Sequence, residues 1–85
     1  IEQHVAEQRE FTVYPNPATT VVNIKGKDMR RIQVYNGLGK LVQMVEAEDD
    51  KYVQIQLSGY APGNYFLRIL LSDGQVVSKK IIVRP

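Results

Sequence analysis

Cysteine and tryptophan are missing from this 85-residue chain, and histidine occurs once, as His4. Without cysteine no disulfide can staple the fold, and no thiolate can act as nucleophile or zinc ligand. A lone histidine makes no zinc set, and His4 reads best as a solvated residue of a polar head. Ser58, Ser72 and Ser78 have no histidine in the body of the chain to activate them, so nucleophilic hydrolysis is not indicated. No apolar run approaches the ~20 residues of a membrane helix. No signal-peptide pattern opens the chain, so any N-terminal export address is expected elsewhere. The formal charge of +2 is too small to point to nucleic acid, and the basic residues are scattered apart from Arg30-Arg31 and Lys79-Lys80. Negative charge gathers only at Glu46, Glu48, Asp49 and Asp50. That run lacks the alternating ligands and central glycine of a calcium loop, so it reads as a solvated hairpin tip. Neither a metal nor a cofactor is implied, and the residue chemistry points away from an enzyme.

What is present is β structure. Hydrophobic residues make up 44% and charged residues 24%, as in an ordinary folded domain. The length fits one domain, and a chain this size buries roughly 60–65% of its unfolded surface. Residues 1–10, "IEQHVAEQRE", form a polar head read as a linker, because an isolated helix this short is marginal in water. Residues 11–85 form the folded body. There the hydrophobic period becomes two. "FTVY" is a short strand ended by Pro15 and Pro17, which cannot donate to a ladder. "TTVVNIK" sets Thr20, Val22 and Ile24 on one face, and "RRIQVY" points Ile32 and Val34 inward. "KLVQMV" is the return strand of a hairpin, and "KYVQIQL" buries Val53, Ile55 and Leu57. "NYFLRILL" sets Tyr65, Leu67 and Ile69 on one face, with Phe66 and Leu70 flanking Arg68 on the other, so partial cover on both sides is expected.

Turn chemistry separates these runs. Asn36-Gly37-Leu38-Gly39 tolerates positive φ and marks a hairpin; a β-period run follows it, so it is no phosphate cradle. "SGYAPG", with Gly63, is a second turn cluster, and Asp73-Gly74 closes the last hairpin. About seven short strands with turns every 8–12 residues predict an all-β, Ig-like antiparallel β-sandwich, with a barrel as the alternative. The final strand, residues 75–83, is ambiguous. Val77, Lys79, Ile81 and Val83 share one face, and Val76, Ser78, Lys80 and Ile82 the other. Either Val76 and Ile82 face the core with Lys80 snorkelling, or a bulge switches faces near the lysines.

Four stretches in series resemble a known family: "YPNPATTVVNI", "IQVYNGLGKLV", "LSGYAPGNYFLRI" and "DGQVVSKKIIV". Together they look like the C-terminal sorting domain of proteins exported by the type IX secretion system, as carried by gingipain proteases and many adhesins. The motif positions are Tyr14, Pro15, Asn16, Pro17, Asn36, Gly37, Gly39, Gly63, Tyr65, Asp73 and Gly74. Where the family pattern has an Asp-x-x-Gly turn, this chain has Asn36 to Gly39, which keeps the turn chemistry. The resemblance implies a secretion signal, not an enzyme. The cargo joined at its N-terminal side would transit the periplasm and reach the outer membrane, cell surface or medium. The implied partners are the outer-membrane machinery and a sortase-like cysteine protease that cuts in or before residues 1–10.

Lys79, Lys80, Ile81, Ile82 and Val83 are the candidate recognition residues, on a strand that the machinery could pair with by β-augmentation. The competing reading is an edge strand whose lysines block association. Exposed edges would also let isolated domains pair or swap strands. Two other functions remain beside sorting: a structural or adhesive Ig-like module of a surface protein, and a sugar-binding face built from the five tyrosines.

Overall fold

A computed structural model describes residues 11–85, without the side chains of Asp49 and Asp50. The polar head, with His4 and the expected processing segment, lies outside the described residues. Five antiparallel strands follow in order: β1 (Thr12–Tyr14), β2 (Val21–Asn36), β3 (Leu41–Gln56), β4 (Gly63–Leu71) and β5 (Val76–Val83). β2 is central. Its first arm lies between β1 and the second arm of β3. Its second arm lies between the first arm of β3 and β4, and β4 pairs with β5.

The seven expected strand segments are therefore present, but four of them are arms of two long bent strands. The acidic run is not the hairpin tip expected of it. Glu46 stands opposite Arg31, with a 2.8 Å ion pair between them, and Ala47 is buried. The bend is local: Asp28 and Glu48 take positive φ of 62° and 51°, and the β2–β3 register shifts between Lys25 and Met29. Positive φ at non-glycine residues and register shifts are how a strand turns a corner without leaving its ladder. Phe11 packs its ring under Gly26 at this corner, where an added Cβ would lie 2.2 Å from the ring.

The alternation in sequence sorts core from surface as expected. Val22, Ile24, Ile32, Val34, Val53 and Ile55 are buried, as are Leu57, Tyr65, Leu67 and Ile69. The other face of β4 is not covered within the described residues: Phe66 and Arg68 are exposed and Leu70 is half-buried. β5 needs no bulge, since its pairing with β4 is regular from Val76 to Val83. Val77, Ile81 and Val83 face the core, and Val76 is exposed. Lys79, opposite the buried Leu67, is the lysine on the core side, so the expected inward Val76, Ile82 and snorkelling Lys80 are replaced by the opposite face.

Candidate functional site

The "YPNP" segment does more than turn the chain between β1 and β2. It lies along the outer edge of β5, about 65 residues away in sequence. Asn16 donates through Nδ2 to the Lys80 carbonyl at 3.1 Å and accepts at Oδ1 from the Ile82 amide at 3.0 Å. Its side chain so imitates one residue of a neighbouring strand. Ala18 continues the contact as a real one: its N–H donates to the Ile82 carbonyl and its carbonyl accepts from Arg84, both at 2.8 Å. The Ala18–Val83 bridge is parallel, and Ala18 is fully buried. The two prolines flanking Asn16, both in cis peptide bonds, have no N–H to leave unpaired here.

The C-terminal half of β5 is thus no free edge. Of its outward backbone groups, the Lys80 carbonyl and both groups of Ile82 are already bonded. Strand periodicity puts the outward groups of Val76 and Ser78 on the same edge, where no comparable bond occurs among the described residues. The five candidate recognition residues divide accordingly. Ile81 and Val83 belong to the core, Lys79 and Ile82 are half-buried, and Lys80 is exposed beside Phe66.

The other motif positions gather near the same end of the sandwich. Gly63 is paired with Val83, and Asn36 with Tyr65. The Asn36 side chain ties its own turn, accepting from the Leu38 and Lys40 amides at 2.9 and 3.0 Å while Gly39 takes φ 84°. A shallow depression of about 500 Å³ runs between residues 36–38 and 61–65, with Leu38 almost wholly exposed at its rim. Tyr65 is buried, donates from its hydroxyl to the Ala61 carbonyl at 2.7 Å, and stacks on Tyr60 at 5.1 Å between centroids. Tyr60 in turn donates to Gln43 Oε1 at 2.5 Å; burial, then the neighbouring Tyr65, push its phenol above the ordinary value. Asp73 and Gly74 lie apart from this cluster, at the β4–β5 turn. There Asp73 Oδ1 accepts from Gln75 N at 3.0 Å, and the Ser72 amide reaches Asp28 O at 2.9 Å in the strand bend. Sequence reasoning found these motif residues but missed the contact of Asn16 and Ala18 with β5, because nothing local signals a partner so distant.

This architecture defines a small immunoglobulin-like β-sandwich module, and known structures agree. A DUF3244-family protein with that fold from Bacteroides vulgatus matches with a TM-score of 0.67 at 16% identity, over 86% of this chain and 83% of that one. CopC from Methylosinus trichosporium OB3b matches with a TM-score of 0.51 at 21% identity, over 88% and 94%. These likenesses concern the fold alone. Residues 12–84 match the secretion system C-terminal sorting domain, and the chain belongs to that family, the C-terminal sorting signals of type IX secretion. Beta-agarase D of Zobellia galactanivorans is 37% identical over 74 residues, which are 87% of this chain; the chain spans only 15% of that relative's length.

Proposed function

We propose that this domain is a non-catalytic address, read by the type IX outer-membrane machinery at the end of the sandwich where β5 meets the "YPNP" segment. The family match over residues 12–84 carries this reading. The Beta-agarase D relative supports a larger protein as the cargo joined to it. The cargo passes through the periplasm, and a sortase-like cysteine protease removes the domain by cutting in or before residues 1–10. Lys80 is the favoured contact, because it alone of the five C-terminal candidates is exposed, whereas Ile81 and Val83 hold the core. Docking by strand pairing would use the open edge at Val76 and Ser78, or would have to displace Asn16.

The test is a fusion of the chain behind an unrelated periplasmic reporter in a bacterium with type IX secretion. Surface delivery and loss of the domain's mass are expected. A reporter that stays in the periplasm would instead favour a structural or adhesive module. Lys80→Gln should reduce delivery while the melting temperature stays within a few degrees of the parent. Delivery unchanged by Lys80→Gln would move recognition off this residue.

A further inference from the structure

The outer face of the sheet formed by β1, the first arm of β2 and the second arm of β3 is not a typical solvated surface. In register, Tyr14, Asn23 and Gln54 form one row across it, and Thr12, Lys25 and Tyr52 the next. Tyr14 and Tyr52 are 40% and 49% exposed. Tyr52 donates its hydroxyl to Asn23 Oδ1 at 2.5 Å on the neighbouring strand. That tether holds the polar tip down against the sheet and leaves the ring as the exposed part. Asn23 is fixed from two further directions. Gln54 Nε2 donates to the same oxygen at 3.0 Å, and Asn23 Nδ2 donates to the Tyr14 carbonyl at 3.2 Å. Gln56 extends the amide row by donating to Gln54 Oε1 at 3.5 Å. Each amide keeps donor or acceptor capacity beyond these bonds, already oriented.

Beside this face, at the strand bend, lies a depression of about 270 Å³ lined by Thr12, Lys25, Gly26, Lys27 and Lys51. Among the described residues, three of the five that line it are cationic and none is acidic. None of these lysines makes a salt bridge among the described residues. Gly26 lines the depression with backbone alone, and the Phe11 ring occupies the place its Cβ would take.

We propose that these two neighbouring features form one binding site for an acidic polysaccharide. The tyrosine rings supply flat apolar surface for the C–H faces of sugar rings, and the fixed amides meet hydroxyls. Two strand spacings and the two-residue offset between the rows set the Tyr14 and Tyr52 backbones about 12 Å apart on the diagonal, the reach of about two sugar units of an extended chain. The lysines receive a carboxylate or sulfate group. A single-stranded nucleic acid fits less well, because its phosphates would need cations all along the track, whereas here they stand at one end. The lysine depression lies at the bend, and the site adjoins the segment assigned to sorting only at Tyr14, the first residue of "YPNP"; polysaccharide binding by the isolated chain is read without reporter delivery, so the two assignments are tested separately.

The experiment is affinity electrophoresis and titration calorimetry of the 85-residue chain with polygalacturonate, hydroxyethyl cellulose and a single-stranded oligonucleotide. Polygalacturonate should bind, weaken as salt rises, and exceed the neutral polymer. Tyr14→Ala with Tyr52→Ala should weaken it about tenfold at unchanged net charge, and Lys25→Gln with Lys51→Gln by a similar factor. Thermal melts confirm that each variant is folded. Four results would each overturn the proposal: no binding of polygalacturonate, equal binding of the neutral polymer, equal or tighter binding of the oligonucleotide, or binding that folded tyrosine variants retain in full. The last would mean charge attraction alone.

Discussion

Replacing Asn16 by alanine tests whether the "YPNP" segment acts as a strand partner for β5. The substitution removes two hydrogen bonds, to the Lys80 carbonyl and from the Ile82 amide. A typical bond contributes a net ~0.5–1.5 kcal/mol, and this edge can rehydrate when the side chain is gone. The expected cost is therefore about 1–2 kcal/mol in total, near the low end for each bond. For a domain of this size that lowers the melting temperature by roughly 5–15 °C. The bonds through Ala18 remain, so the loss should be local as well as global. Amide exchange measured by NMR should show Ile82 losing protection more than Ile81, whose N–H lies on the β4 side of the strand. Asn16→Asp adds a sharper test. It keeps the acceptor for Ile82 but sets a carboxylate oxygen against the Lys80 carbonyl, so it should fail to restore full stability at neutral pH. If Asn16→Ala melts with the parent and Ile82 exchange is unchanged, the side chain is not a strand mimic and the reasoning is refuted.

Three further predictions concern the rest of the sandwich. Cutting the chain after Ser78 removes Ile81 and Val83 from the core; at ~2–5 kcal/mol for a large aliphatic, the remainder should show no cooperative melt by circular dichroism. A melt near that of the parent would contradict the core assignment of β5. Gly26→Ala should destabilise by about 1–3 kcal/mol in urea unfolding, and by much less in a Phe11→Ala background, because the added methyl meets that ring. Tyr60 holds its proton more tightly when folded, through burial first and Tyr65 second. Its contribution is complete below the unfolded value near 10 and is lost as pH rises through the higher folded value. Melting temperatures between about pH 9 and 11 should therefore fall less steeply in Tyr60→Phe than in the parent, and parallel slopes would count against the shift.

Strand and turn positions were legible because both are local properties. A side chain's face follows from its parity along the strand, and Asn36, Gly39, Asp73 and Gly74 act on their own turns through neighbouring backbone groups. The acidic run misled for a physical reason. Charge at residues 46–50 reads as a solvated tip, but Arg31 across the ladder and a positive φ at Glu48 let the strand continue around the corner. The ending of β5 was undecidable from parity, since each of its two faces carries one lysine. Pairing with β4 settled it by setting Lys79 beside Leu67 and Lys80 beside Phe66.

By itself, then, the sequence determined an all-β body, its turns, most of its core and a family resemblance that the match over residues 12–84 bears out. These rest on alternation and turn chemistry, which act over a few residues. Only the tertiary structure decided that four strand segments are arms of two, and that the motif prolines frame an asparagine bonded to the last strand. It also decided that three lysines from two strands share one depression beside two tyrosines. Those facts depend on contacts between residues far apart in the chain, and periodicity carries no information about which distant edge a segment will meet.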